Sequence, residues 1–294
     1  MQERIVAERR YSMNNKSGAF LLISSFLFAL LSGPAFGADT GATIPPGEAG
    51  AKAALEKSPR HHEWVNIDVP GRTAKVSTFV AYPERKDKAP VVIVIHEVFG
   101  LTDWVRGVAD RLAGDGFIAV APDMLSGKGP GGGGTEKFAS RDDVVKAVRD
   151  LLATDVAAVL DAAGRYGKGL PAAKNKVATI GFCWGGAQSF LYATVQPDLS
   201  AAVVYYGTSP ASEALKAVKA PVLGLYGEDD ARVNATVGPA EEKMKELGKT
   251  YITHTYKGAG HGFLRAQDDR DGANLEASKK AWPATVEHLR KYLE

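Results

Sequence analysis

The only cysteine of the chain, Cys183, stands in Gly181-Phe-Cys183-Trp-Gly185-Gly186, directly after the run Lys176-Val-Ala-Thr-Ile180. Glycine two places either side of a nucleophilic residue is the pattern of a sharp strand-to-helix turn that pushes the nucleophile out of the chain. Small flanking residues are needed there because backbones crowd around such a turn. The helix that follows presents unpaired N–H groups and the positive end of its dipole, which favour a thiolate over a thiol. They also let the Trp184 N–H face a developing oxyanion. A cysteine nucleophile wants a base, and the base wants an orienting carboxylate. His261 follows the run Tyr251–Tyr256 and is bracketed by Gly260 and Gly262, so its ring is expected in a loop and free to turn inward. Asp230, with Asp229 beside it, comes just after Pro221–Tyr226. The chemistry these three support is acyl transfer.

The elements around them place all three at one edge. Trp64–Val69 and Ala74–Tyr82 read as an antiparallel pair turned through Pro70-Gly71. Pro90–His96 is a continuous β-branched run, the mark of a strand buried on both faces. An amphipathic helix over Trp104–Leu112 and a strand over Phe117–Ala121 come next, and the alternation continues to the C-terminus. About eight strands alternating with helices predict an α/β fold, a mostly parallel sheet with helices on both faces. Cys183, Asp230 and His261 then emerge at carboxyl ends of strands, and nucleophile, acid, histidine is the chain order of α/β-hydrolases. One long helical stretch is expected from Arg141 to about Gly164. Ser126–Gly134 carries a run of four glycines, but no Gly-Lys-Ser/Thr opens a helix there, so it is not a phosphate cradle. It is expected to be a mobile loop at the ligand-binding edge of the sheet, able to act as a lid.

Residues 1–37 are set apart. The apolar stretch Ala19–Leu31 follows Arg9, Arg10 and Lys16 and leads to Gly33-Pro-Ala-Phe-Gly37, the layout of a secretory signal peptide cut near Gly37-Ala38. Met13 is an alternative start, and Arg9-Arg10 hints at twin-arginine export. The expectation is an exported protein, periplasmic if the source is bacterial, with no membrane span after cleavage. Residues 38–62, rich in Gly, Ala and Pro, are expected to be a flexible lead-in, and 63–294 a single catalytic domain. Four of the 36 basic and two of the 34 acidic side chains fall in residues 1–37, so the body carries 32 of each sign. Without a basic excess there is nothing to neutralise phosphates, and nucleic acid is excluded as a partner. His96 adjoins Glu97 but lacks the second histidine of a zinc His-Glu-x-x-His site, and no metal site or cofactor is expected. His254 and His288 fit strand and helix surfaces. The expected partner is a small-molecule substrate, and the expected state a monomer.

Taken together, Ile95-His-Glu97-Val-Phe-Gly-Leu101, Ala121-Pro-Asp123, Gly181–Gly186, Tyr205-Tyr-Gly207 and Ala259-Gly-His-Gly-Phe263 resemble the dienelactone hydrolase family, over about four-fifths of the chain. That family has an α/β-hydrolase fold and hydrolyses an enol-lactone, carboxymethylenebutenolide. The resemblance implies Cys183 as nucleophile, His261 as general base and acid, and Asp230 rather than Asp229 as the residue orienting it, through the spacing Gly-x-x-Asp. It implies that Glu97 interacts with the resting thiol and helps form the thiolate. It also implies that the Val98 N–H joins that of Trp184 in the oxyanion hole. Arg265 would bind a substrate carboxylate with two parallel hydrogen bonds. Arg141 is the only arginine near the position of the family's second one. Gly-x-Cys-x-Gly turns also occur in glutamine amidotransferases and in the DJ-1 superfamily. The first would show a His-x-Glu pair near the end and the second a histidine next to the cysteine, and neither is present. A catalytically silent ligand-binding protein on the same fold is the alternative from another class.

Overall fold

The computed structural model describes residues 44–294. The signal peptide expected over 1–37, its cleavage point and the first residues of the lead-in lie outside the described residues. Eight strands form one sheet in the order β1-β2-β4-β3-β5-β6-β7-β8. They are β1 His62–Ile67, β2 Val76–Ala81, β3 Ala89–Ile95, β4 Ile118–Pro122, β5 Ala173–Phe182, β6 Ala201–Tyr205, β7 Val222–Asp229 and β8 Tyr251–Gly260. β2 is antiparallel to both its neighbours, and all other pairs are parallel. Every strand expected from the sequence is present. This arrangement is the α/β-hydrolase fold.

β3 shows why its sequence is apolar throughout. Val92 and Val94 face one layer, with α2 (Asp103–Gly114) and α7 (Ala273–Leu293). Val91, Ile93 and Ile95 face the other, with α4 (Ala153–Gly169) and α6 (Ala231–Glu246). With both faces covered, a strand cannot alternate apolar and polar residues. All seven of its residues are buried.

The structure corrects several expectations. The stretch from Arg141 is two helices, α3 (Arg141–Arg149) and α4, because each serves a different surface. Val144 and Val148 of α3 pack on Leu125 in a small separate cluster, whereas Val156, Val159 and Leu160 of α4 pack on the sheet. The glycine-rich loop is pinned rather than mobile. The Thr135 N–H and hydroxyl both donate to the carboxylate of Asp123, each at 2.7 Å, and the Leu101 N–H donates to the Thr135 hydroxyl.

The described part of the lead-in is ordered as well. Glu48–Glu56 forms a helix, α1, whose Ala51 is buried in the α2 layer. Past it, Ser58, Arg60 and His62 converge on Asp110 of α2. The boundary drawn at residue 62 shifts with it, since His62, the last residue of the expected lead-in, opens β1. His288, expected on a helix surface, is buried in α7, and burial pulls its pKa down to about 4.

Candidate active site

The parallel strands that lie side by side as β3, β5, β6, β7 and β8 end at one edge of the sheet and deliver Glu97, Cys183, Tyr206, Asp230 and His261. Cys183 sits between β5 and α5 (Trp184–Ala193) with φ 55° and ψ −116°, a backbone state that L-residues rarely adopt. Strain of this kind persists only where the surroundings over-determine it, at about 1–3 kcal/mol. Here the surroundings are other backbones. A Cβ on Gly181 would lie 1.9 Å from the Gly185 carbonyl oxygen, and one on Gly185 would lie 2.3 Å from that of Ile95. The Cys183 N–H donates to the Tyr205 carbonyl at 3.0 Å, tying the turn to β6.

His261 follows β8 directly, and its Nδ1 lies 2.6 Å from Oδ2 of Asp230. A proton on Nδ1 donated to this carboxylate leaves Nε2 for the thiol. Burial lowers the His261 pKa, but the hydrogen bonds with Asp230 and Cys183 outweigh it and raise the value to about 9. The imidazolium form is therefore stabilised next to the sulfur. Supporting contacts hold both strand ends: Asn234 donates from its amide to the Gly227 carbonyl, and Gly260 N–H donates to the Asn274 side chain. Asp229, the neighbour of Asp230, turns away to an ion pair with Arg270.

Val98 and Trp184 both line the cavity that holds Cys183. Among the described residues, neither backbone N–H donates to a backbone acceptor. Two free donors beside the sulfur are what an oxyanion needs. Glu97 is buried and pairs through Oε2 with Nε of Arg265 at 2.7 Å. Burial raises its pKa, which the charges of Arg265 and His261 partly counter. Arg265 lies in the turn after His261, its N–H bonded to the Gly262 carbonyl. Arg141 lies outside the cavity lining; its guanidinium stacks 3.6 Å over the ring of Phe99, which does line it.

The cavity is about 520 Å³ and also takes in Arg149, Arg232, Thr208 and Tyr206. Sequence reasoning missed these. The two arginines sit on exposed helix positions, where basic residues need no special explanation. Tyr206 belongs to the Tyr205-Tyr-Gly207 motif, but nothing in the sequence distinguishes it from Tyr205. In the structure the hydroxyl of Tyr205 bonds to Thr285, whereas that of Tyr206 is buried with no partner among the described residues. The glycine-rich loop lines a separate cavity, with Trp64 and Arg106, and not this one. His96 is buried and neutral in character, bonded through Nδ1 to the Glu97 carbonyl, its pKa lowered by burial.

Comparison with known proteins extends this geometry. The profile of the dienelactone hydrolase family matches residues 76–293. A Methylorubrum extorquens protein provisionally named carboxymethylenebutenolidase is 30% identical over 239 residues, which cover 77% of this chain and 80% of that one. A crystal structure from Klebsiella pneumoniae, provisionally named dienelactone hydrolase, superposes with a TM-score of 0.69 at 28% identity. It covers 79% of this chain and 99% of that one. An acylaminoacyl peptidase of Pyrococcus horikoshii shares the fold alone, with a TM-score of 0.62 at 16% identity over 83% of this chain and 44% of that one.

Proposed function

Because the chain belongs to the dienelactone hydrolase family, we propose that it hydrolyses a lactone or activated carboxylic ester through a covalent intermediate on Cys183. The observation that carries this reading is the His261–Asp230 pair set beside a thiol on a strained strand-to-helix turn. The sulfur attacks the substrate carbonyl, forming a C–S bond. The oxyanion takes the N–H groups of Val98 and Trp184, and the C–O bond to the leaving group breaks. His261 takes the thiol proton and gives it to a leaving alkoxide; an enolate or phenolate leaves as the anion, and His261 then releases the proton to it or to solvent, so that the ring is neutral again. Water then attacks the thioester with His261 as base, releasing the acid and restoring the thiol. Asp230 holds the imidazole in the correct tautomer throughout. Glu97, as the neighbour of both Arg265 and the thiol pocket, is the candidate for tuning the sulfur's protonation. Ordinary alkyl esters leave a sluggish thioester, so general esterase activity is expected to be weak.

We read the protein as exported, on the strength of the apolar stretch 19–31 and the small residues before Ala38. A monomer acting on a small substrate without a cofactor is the simplest assembly that fits. Replacing Cys183 with Ala tests the activity: hydrolysis of 4-nitrophenyl acetate and of simple enol-lactones should fall to background, and retained turnover would refute the assignment.

A further inference from the structure

Arg265 is shared by two carboxylates. Its Nε faces Glu97 inside the cavity, and its Nη1 lies 2.5 Å from Oε2 of Glu48, at the start of α1. The second oxygen of Glu48 is 3.3 Å from Nη2 of Arg141. Glu48 thus joins the two arginines that the family resemblance nominates for holding a substrate carboxylate, and both guanidinium groups lie over the ring of Phe99. The contact is built rather than incidental. The Glu48 N–H donates to the Arg265 carbonyl at 2.9 Å, and the Gln267 amide donates to the Pro45 carbonyl at 2.9 Å, clamping residues 45–48 onto the turn that carries Arg265. Glu48 also precedes the residues that the family profile matches, which begin at 76.

We infer that Glu48 is a specificity-determining residue, an internal carboxylate occupying the anion position on Arg265 and Arg141, so that the site favours neutral esters and lactones over ones bearing a carboxylate there. A planar guanidinium offers a limited set of donors; the Nη1 of Arg265 already donates to Glu48, while its Nε lies 2.7 Å from Glu97 in an ion pair without hydrogen-bond alignment. A substrate carboxylate would have to displace Glu48 or approach it as a like charge. The inference rests on the cavity of Cys183 being the substrate site, as proposed above, but its test does not need turnover.

Cys183 is the only cysteine, so its alkylation can be followed without interference. Iodoacetamide and iodoacetate form the same C–S bond and expel the same iodide, one as a neutral reagent and the other as a carboxylate. The rate ratio of iodoacetate to iodoacetamide should rise about fivefold in both Glu48→Gln and Glu48→Ala, the scale of one partly exposed ion pair. Glu136→Gln neutralises a carboxylate of the separate glycine-loop cavity and should leave the ratio unchanged, which sets the level of long-range charge effects. In parallel, the preference for 4-nitrophenyl acetate over mono-(4-nitrophenyl) succinate should fall by a similar factor in the Glu48 variants. An unchanged alkylation ratio, equal changes with both reagents, or an equal rise in Glu136→Gln would overturn the inference. If the ratio rises while no variant, nor the wild type, hydrolyses either ester, Glu48 keeps its role and the proposed hydrolysis is what fails.

Discussion

Under the proposed mechanism the sulfur, imidazole and carboxylate divide the chemistry unequally, and the variants should show it. Asp230→Asn leaves the ring in place but removes the acceptor that fixes its tautomer, so kcat/KM for an activated ester should drop by about ten-thousandfold. Asp229→Asn breaks only the surface pair with Arg270 and should leave kcat/KM near wild type; steady-state kinetics on the two variants checks the choice between them. His261 also links pH to stability. Its pKa of about 9 in the folded chain lies above the ordinary value of 6.5. Protonated His261 therefore stabilises the fold fully below about pH 6.5, and that stabilisation is lost as pH rises through about 9. The margin in melting temperature between the wild type and His261→Gln should shrink across this window; a margin that stays flat or widens would contradict the His261–Asp230–Cys183 coupling. Cys183, Asp230 and His261 stood out in the sequence because each sits beside glycines or at a strand end, where ordinary packing demands no such residue. Tyr206, Arg149 and Arg232 were not, since a tyrosine after a strand and arginines on helix surfaces are what any fold of this class contains.

At the scale of elements, the strands were legible because fully buried parallel strands leave long β-branched runs, as in Pro90–Ile95. Connections were harder. The Asp150–Leu152 break carries neither Gly nor Pro, so nothing local separates α3 from α4. The four glycines after Ser126 suggested freedom, whereas the restraint comes from Asp123, distant in sequence from Thr135. Thr135→Val removes the side-chain bond to Asp123 and the acceptor for Leu101 N–H, and should cost about 1–3 kcal/mol in denaturant unfolding. Because the loop lines a different cavity, kcat/KM should change little; a large kinetic loss would restore the lid. α1 was missed because a segment rich in Gly, Ala and Pro reads as flexible, although Ala51 and Leu55 are spaced to share one helix face. Its order comes from packing on α2, which sequence alone does not display.

For the whole molecule, the neutral body and the sheet edge fit a hydrolase of small substrates, while the signal peptide proposed over residues 1–37 would decide where it works. Expressed with its full N-terminus in a bacterium, the protein should appear outside the cytoplasm with a mass corresponding to a start at Ala38. Cytoplasmic protein of full mass would remove the export proposal without touching the catalytic one. A cut at Ala38 leaves Glu48 and α1 in the mature chain, so the contact with Arg265 survives processing. The catalytic proposal itself is met most directly by intact-protein mass spectrometry after brief mixing with 4-nitrophenyl acetate. One acetyl group should appear on Cys183 of the wild type and decay, persist in His261→Gln where a small fraction reacts, and be absent from Cys183→Ala. Rapid hydrolysis by Cys183→Ala, or acetyl groups found only on other residues, would contradict it.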